Sequence, residues 1–350
     1  MSPRYVGLLL ILLLCTSFHT WSTSSLSLTA QPAEINKQSN KVVIFIFSDG
    51  LKTQFTNAKR ILDKFGFKAT FDVVCNYVGK SDKYMNWSEI EMLHNEGHDI
   101  GSHSMNHVRL TELPIKSIEY EVAESKQCLI NHGFYPSSFE YPFSIKSENK
   151  TIVDIVAKHY SFATRGNDAL MFLSCDGFRE HKQIDCRRYT ENGTPTYANK
   201  YAIRNWSHDF EKGENGYTDA EALQKFIRIV NLELRHNQGG YIGAIPIIMY
   251  HGIGNMKDEK SSTDNKLFEE EMKYLYDNHF KVFRISDLAY NENNNYLYIK
   301  ELKRAITEET TATSNITNPI EPTITNVTHL RLPPEPVPIL QILKQLFGLK

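Results

Sequence analysis

The chain alternates between short apolar runs and segments with helical periodicity, and this alternation constrains its fold more than any other feature. The run Val42–Phe47 is apolar at every position, which is typical of a strand buried on both faces. Thr53–Phe65 instead repeats apolar residues at helical spacing, and Gly66 after it is a helix-stop signal. The same two patterns predict further strands at Ala69–Val74, His98–Ser102, Ser138–Tyr141, Tyr160–Thr164, Tyr201–Arg204, Ala244–Tyr250 and Lys281–Arg284, and further helices at Ser88–Glu96, Pro114–His132, Lys150–His159, Asp219–His236 and Leu267–Asn278.

Strands that alternate with helices predict a parallel sheet covered by helices. About seven such units favour a (β/α) barrel over an open sheet, so we expect an α/β fold of that type. The alternation occupies residues 41–293, which we assign to one domain.

The segments on either side of this domain differ from it in composition. Arg4 and the apolar run Val6–Cys15 predict a signal peptide over residues 1–30, because the run is shorter than the ~20 residues of a bilayer span. Residues 31–40 form a polar leader, and residues 304–338 a Thr/Asn/Pro-rich linker. Residues 339–350 form a short amphipathic segment that associates with a membrane or cell wall, docks on the domain or stays disordered.

The composition is that of a soluble protein in which a site, and not a bulk charge, recognises the partner. Hydrophobic residues make up 41% and charged residues 23% of the 350, and a net charge of -2 argues against nucleic-acid binding. Four cysteines outside the signal peptide allow two disulfides, with three pairings. Cys175 and Cys186 can close a short ring, whereas Cys75 and Cys128 lie in apolar patterns that also suit buried thiols.

Six Asn-X-Ser/Thr sequons support export and predict a secreted or cell-surface glycoprotein. They begin at Asn86, Asn149, Asn192, Asn205, Asn315 and Asn326.

The first strand ends by presenting a carboxylate, in the stretch Ile46-Phe47-Ser48-Asp49-Gly50. In parallel α/β folds the functional groups gather at the carboxyl ends of strands. A carboxylate there is costly to bury without a partner, and a metal ion is one such partner. An Asp that caps the next helix or is solvated in a turn is the competing interpretation.

Histidines follow the ends of two other predicted strands. His103 and His107 are four residues apart, a spacing at which two imidazoles can converge on one ion. With Asp49 they make a three-ligand set, which leaves positions open for water and substrate, as in catalytic metal sites. His251 follows the apolar strand Ile245–Met249 and suits proton transfer at neutral pH. Taken singly, each histidine also fits an ordinary surface or packing role.

These stretches, in this order, resemble the polysaccharide deacetylase family, which is carbohydrate esterase family 4. Ile46–Gly50 is similar to the first family motif, T-F-D-D-G, and His103–His107 matches the second, H-S/T-x-x-H. Glu140–Ser144 is similar to the third, an Arg followed by Pro and an aromatic residue, and Ile247–His251 to the fifth. The resemblance covers residues 41–290 and implies a distorted (β/α) barrel.

The resemblance also implies a function: removal of acetyl groups from N-acetylated polysaccharides such as chitin or peptidoglycan, hydrolysing a carbon–nitrogen bond that is not a peptide bond. A divalent ion, most often zinc, would be held by Asp49, His103 and His107 and would activate water. His251 would protonate the leaving amine. The resemblance implies substrate contacts for Tyr141, Pro142, Trp206 and Tyr250.

The chain departs from the family pattern where the catalytic base is expected. Ser48 stands at the position of the base Asp, and Glu140 at that of the Arg that orients this base. One hypothesis is that Glu140 supplies the missing carboxylate, with Ser48 hydrogen-bonded to it or to the water; Asp72 is a further candidate. The alternative is a catalytically impaired surface protein that still binds metal and glycan.

Overall fold

The structure is a computed structural model that describes residues 40–144, 149–166, 168–174, 189, 193, 196–254 and 261–302. The predicted signal peptide (1–30), nearly all of the polar leader (31–40), the linker (304–338) and the C-terminal amphipathic segment (339–350) lie outside these residues and stay predictions. So does the suggested ring between Cys175 and Cys186. No helix within the described ranges is both long and apolar enough to span a membrane.

The domain is built around a sheet of nine parallel strands. Eight of them follow the order β7-β5-β4-β3-β2-β1-β10-β8, and β13 pairs with the first half of β1. The strands are β1 (Val42–Phe47), β2 (Thr70–Val73), β3 (Asp99–Ser102), β4 (Ser138–Glu140), β5 (Phe162–Arg165), β7 (Ile203–Arg204), β8 (Trp206–Ser207), β10 (Ile247–Tyr250) and β13 (Lys281–Phe283).

The sheet nearly closes into a barrel because of one short segment. β7 and β8 are the two ends of the strand order, yet only Asn205 separates them in the chain. The segment 203–207 therefore runs from one edge of the sheet to the other. The predicted distorted (β/α) barrel is confirmed, with eight strands on the path where the sequence suggested about seven.

Seven α-helices accompany the sheet within the described ranges, and six of them lie close to predicted positions. The helix His208–Asn215 was not predicted, and the helix expected over Asp219–His236 ends at Val230. The capping box of α2 is formed by Asn86 and Glu89, two residues earlier than the Ser88 and Glu91 that the sequence suggests. The helices are α1 (Lys59–Phe65, preceded by a π-helical turn at Gln54–Ala58), α2 (Trp87–Asn95), α3 (Ile115–Asn131), α4 (Lys150–His159), α5 (His208–Asn215), α6 (Asp219–Val230) and α7 (Asn265–Asp277).

Three small two-stranded sheets complete the described elements, and the sequence patterns predicted none of them. Pro246 has no N–H to donate, so the predicted strand 244–250 is divided in two at this residue. The pairs are β6 (Met171–Phe172) with β9 (Ala244–Ile245), β11 (Gly252–Ile253) with β12 (Ser262–Thr263), and β14 (Leu288–Asn291) with β15 (Tyr296–Ile299).

Strand β1 lies at the centre of the core, and all six of its side chains are buried. Successive side chains of a strand point to opposite faces, which divides the six into two sets. Val43, Phe45 and Phe47 pack in one cluster with helix residues. Val42, Ile44 and Ile46 pack in the other, with β10 and β13. The unbroken apolar run is thus explained, because neither face of this strand meets water.

A disulfide joins Cys75 to Cys128, with 6.6 Å between the two Cα atoms. The interpretation of these residues as buried thiols is therefore wrong. The sequence could not indicate the pairing, because 53 residues separate the two cysteines. The bond ties the loop after β2 to helix α3.

We expect the double substitution Cys75→Ser/Cys128→Ser to lower the free energy of unfolding by about 2–4 kcal/mol, since it releases a long loop in the unfolded chain. Urea unfolding followed by circular dichroism measures this difference. A reductant should destabilise the wild type to a similar extent and leave the double variant unchanged. Equal midpoints for oxidised wild type and variant would contradict the prediction.

Candidate active site

The predicted site residues gather at one end of the barrel. Asp49 follows the end of β1, His103 follows β3, Glu140 is the last residue of β4, and His251 follows β10. Because these strands are parallel, their carboxyl ends meet at the same rim. Residues more than 200 positions apart in the chain therefore line one cavity of about 350 Å³.

Asp49, His103 and His107 form a cluster suited to a metal ion. One ligand atom from each residue lies within 4.8 Å of the other two. Asp49 Oδ1 is 3.5 Å from His103 Nε2 and 3.4 Å from His107 Nε2. On the far side of its ring, His103 Nδ1 lies 3.0 Å from the backbone oxygen of Glu140. Donation from Nδ1 to that carbonyl leaves the Nε2 lone pair directed at Asp49, as in many metal sites.

The charges and hydrogen bonds of this cluster also fit a divalent cation. Asp49 Oδ1 is buried and has no hydrogen-bond partner in the part of the chain that the structure describes, which is costly for a carboxylate. Burial lowers the pKa of His107 to about 4 and also lowers that of His103, so both imidazoles are neutral and can act as ligands at pH 7. Burial would raise the pKa of Asp49, but nearby positive charge, first of all that of His251, lowers it, and the carboxylate is ionised.

Backbone strain accompanies this geometry. Asp49 has φ 77° and His107 φ 55°, in the left-handed region that side chains other than glycine seldom adopt. Such conformations persist only where the surrounding structure fixes them, and they concentrate at functional sites.

Ser48 and Glu140, which replace the acid–base pair of the family pattern, contact each other directly. Ser48 Oγ donates to Glu140 Oε2 at 2.5 Å, and both residues are buried. Burial raises the pKa of Glu140 to about 7, while the Ser48 hydrogen bond acts in the opposite direction. A carboxyl group with this pKa exchanges protons readily near neutral pH.

Asp72 lies behind Glu140 and is fully buried. Its side chain occupies the space beside Gly101, where an added Cβ would lie 1.8 Å from Asp72 Oδ1. Burial and the nearby charges of Glu140 and Asp99 raise its pKa well above the usual range, so Asp72 is held neutral. It does not line the cavity.

His251 is paired with Asp209, which the sequence analysis did not single out. Asp209 Oδ1 lies 2.9 Å from His251 Nδ1, and Asp209 Oδ2 accepts from the His251 backbone N–H at 2.5 Å. Burial would lower the pKa of His251, but the Asp209 charge and hydrogen bond raise it to about 10. The strand register brings the two residues together: Ser207 of β8 pairs with Met249 of β10, and Asp209 and His251 each lie two positions further on.

Gln54 ties two of the motifs together. Its Nε2 donates to the backbone oxygen of Ser48 and, at 2.9 Å, to that of His251. The side chain is fully buried. It therefore fixes the end of β1 relative to the end of β10.

The rim of the cavity carries large side chains that the sequence analysis did not identify. Phe143 is 42% exposed, and its ring centroid lies 4.6 Å from that of His107. The guanidinium carbon of Arg109 lies 4.3 Å from the centroid of the Phe143 ring. Phe210, 49% exposed, lies on α5 and also lines the cavity. Phe143 falls within the motif-like stretch Glu140–Ser144, in which the sequence analysis assigned contacts only to Tyr141 and Pro142. Phe210 lies on a helix that the sequence patterns did not predict.

The predicted substrate-contact residues divide into two groups. Tyr141 lines the cavity, although its hydroxyl donates to the backbone oxygen of Tyr201 at 3.0 Å and so is directed elsewhere. Pro142 is buried next to it and does not line the cavity.

Trp206 and Tyr250 also lie away from the cavity lining. Trp206 is 5% exposed, and its indole N–H donates to Glu211. Tyr250 is fully buried, and its hydroxyl donates to Glu271 at 2.7 Å. Both side chains are packed in the core, so their placement does not support the substrate contacts expected of them.

Comparison with known proteins supports the resemblance seen in the motifs. Residues 35–160 match the family model named polysaccharide deacetylase. The putative polysaccharide deacetylase YxkH of Bacillus subtilis (strain 168) is 29% identical over 95 residues, which make up 27% of this chain and 34% of that protein. The chain thus spans about a third of the length of this curated relative.

Similar solved structures include a family 4 carbohydrate esterase from Streptomyces lividans in complex with acetate. It is 14% identical, with 69% of this chain and 92% of that chain covered and a TM-score of 0.44. The peptidoglycan deacetylase PdaC from Bacillus subtilis is 15% identical, with 78% and 96% covered and a TM-score of 0.45. Scores below 0.5 carry no functional assignment by themselves.

The family match spans Ser48, Asp49, His103, His107 and Glu140, whereas Asp209 and His251 lie beyond it. The resemblance predicted from the motifs is thereby confirmed over residues 35–160, which are similar to the polysaccharide deacetylase family.

Proposed function

We propose that this chain is a metal-dependent hydrolase that removes acetyl groups from N-acetylated glycans, of the chitin or peptidoglycan type. The observation that carries the proposal is one cavity lined by Asp49, His103, His107, Glu140 and His251. This cavity combines three possible metal ligands with a carboxyl group that can accept a proton and an imidazole that can donate one. The family match supports the same reaction class.

Asp49, His103 and His107 would hold the ion, and zinc suits a site of two imidazoles and one carboxylate. Such an ion supplies Lewis acidity, which polarises a carbonyl oxygen and makes water a better nucleophile at neutral pH. The protein fixes the ligand atoms on strand ends, so little reorganisation is needed when the ion binds.

Glu140 is the proposed general base. Its carboxylate would take the proton of the attacking water, and Ser48 would hold it in place through the 2.5 Å hydrogen bond. Serine cannot perform this step itself, because its hydroxyl does not accept a proton at neutral pH. The carboxylate lost at position 48 is thus replaced from β4, on another wall of the same cavity.

His251 is the proposed general acid. Asp209 keeps its imidazole protonated at neutral pH and orients it through Nδ1, which leaves Nε2 to donate to the leaving nitrogen. When the amide bond breaks, the acetyl group leaves as acetate and the amino sugar receives this proton.

The aromatic rim residues Phe143 and Phe210 would contact the sugar, because apolar faces of pyranose rings pack on aromatic side chains. We further propose that the protein acts outside the cell, since the signal-peptide pattern and the Cys75–Cys128 disulfide both suit an exported chain. Peripheral association with a membrane or wall through residues 339–350 stays part of this proposal.

The direct test is acetate release from acetylated chito-oligosaccharides and from peptidoglycan fragments. We expect release with added zinc and its loss after treatment with a chelator, followed by recovery when zinc is restored. A chain that binds zinc and glycan but releases no acetate would instead support the catalytically impaired binding protein.

We expect Glu140→Gln to lower kcat by about 100-fold or more, since general-base catalysis typically contributes 10²–10⁴-fold. Zinc affinity should change little, because Glu140 contributes its backbone oxygen to His103 in both proteins. Acetate release and zinc titration measure the two effects. Glu233→Gln is the matched control: Glu233 is equally buried but accepts from the Val42 N–H, at the opposite end of β1. Unchanged turnover in Glu140→Gln would exclude Glu140 as the base.

The two proton-transfer groups predict a bell-shaped pH profile of kcat/KM. Glu140 must be ionised, so activity should rise with pH through its pKa near 7, and His251 must be protonated, so activity should fall through its pKa near 10. A bound cation lowers the pKa of both groups, so both limbs shift to lower pH in the zinc-loaded enzyme.

The substitution Asp209→Asn removes the charge that raises the pKa of His251. We expect it to move only the alkaline limb of the profile to lower pH. An alkaline limb that stays in place would show that His251 does not control it.

A further inference from the structure

The loop that separates the two histidine ligands has an unfavourable backbone conformation. This loop, Ser104–Asn106, will be called the histidine loop. Ser104 has φ 68° and His107, just after the loop, has φ 55°. Two left-handed residues other than glycine so close together need external contacts to hold them. The contacts come from two segments on either side of the loop.

Helix α3 provides the first contact through Glu121, which is 4% exposed. Its Oε2 accepts from the backbone N–H of Met105 at 3.1 Å and from that of Asn106 at 2.9 Å. Its Oε1 accepts from Asn106 Nδ2 at 2.7 Å. Glu121 touches neither His103 nor His107 through any of these bonds.

The loop after β2 provides the second contact. The N–H of Cys75 donates to the Ser104 oxygen at 3.2 Å, and that of Asn76 to the Met105 oxygen at 3.0 Å. Asn76 Nδ2 also donates to Asn106 Oδ1 at 2.7 Å. The histidine loop is therefore bonded through its N–H groups to α3 and through its carbonyl groups to residues 75–76.

The disulfide joins these two supports to each other. Cys75 belongs to the second contact, and Cys128 lies seven residues after Glu121 on α3, which is about two helical turns and hence on the same face. The histidine loop, Glu121 and the disulfide form a closed ring of contacts around the backbone that presents His103 and His107.

We propose that Glu121 is a positioning residue for the metal site, and that the Cys75–Cys128 disulfide fixes it against the opposite support. Their joint effect is to hold the histidine loop in the conformation that directs both imidazoles at Asp49, before any ion binds. The inference rests on the proposed metal binding. Its new content is that zinc retention depends on Glu121 and on the disulfide between Cys75 and Cys128.

Zinc affinity, measured by competition with a chromogenic chelator, tests this role independently of catalysis. We expect Glu121→Ala in the oxidised full chain to weaken zinc binding by at least about 10-fold, since residues that support ligands typically contribute 10–100-fold. In the metal-free protein, the amides of Met105 and Asn106 should exchange with solvent faster. Glu121→Gln keeps one carbonyl acceptor and should give a smaller change in the same direction, which preserves the test if the alanine variant does not fold.

Glu233→Ala is the matched control. Glu233 is also a buried carboxyl group that accepts from a backbone N–H, but its partner is Val42, which is about 20 Å along β1 from Ser48. We expect it to lower stability without changing zinc affinity. Equal zinc affinity in wild type and Glu121→Ala, or equal weakening by Glu121→Ala and Glu233→Ala, would overturn the proposal.

The disulfide is tested by the same titration on Cys75→Ser/Cys128→Ser, which should bind zinc more weakly than the oxidised wild type. Unchanged affinity would remove the disulfide from the proposal. The hydrolase proposal fails separately: a wild type that binds zinc without releasing acetate refutes it and leaves the role of Glu121 intact.

Discussion

The organisation of this site depends on one buried oxygen atom. Asp49 Oδ1 lies between the Nε2 atoms of His103 and His107 and has no hydrogen-bond partner among the described residues. A carboxylate oxygen in that position is costly unless a cation shares the space. Burial lowers the pKa of both imidazoles, which leaves them neutral and able to act as ligands at pH 7. The three ligand atoms are therefore arranged at the barrel rim in a way that favours a bound cation.

The same reasoning explains why Ser48 and Glu140 belong together. A carboxylate at both positions would place two like charges within hydrogen-bond distance, which low dielectric penalises heavily. An arginine opposite Ser48 would be a buried cation without a partner. Serine facing glutamate avoids both costs, because the hydroxyl donates one hydrogen bond to the carboxylate at 2.5 Å. In the proposed function, β4 thus supplies the carboxylate that the family pattern places after β1.

The sequence predicted the features that depend on a local pattern of residues. It did not predict the contacts that depend on packing between distant segments. The apolar run of β1 and the His103–His107 pair are local, and their positions at strand ends followed from the alternation of elements. The Cys75–Cys128 disulfide and the Asp209 partner of His251 depend instead on which strand and helix become neighbours. Trp206, for which the resemblance implied a substrate contact, instead packs in the core.

Barrel closure and proton transfer are linked by a single strand register. The segment 203–207 closes the sheet by moving from β5 to β10, and α5 begins at the next residue. Because Ser207 pairs with Met249, the chain delivers Asp209 directly beside His251. A shift of this register by one residue would separate the acid from the group that keeps it protonated. The pairing of β8 with β10 therefore both completes the barrel and brings Asp209 to the proposed general acid, His251.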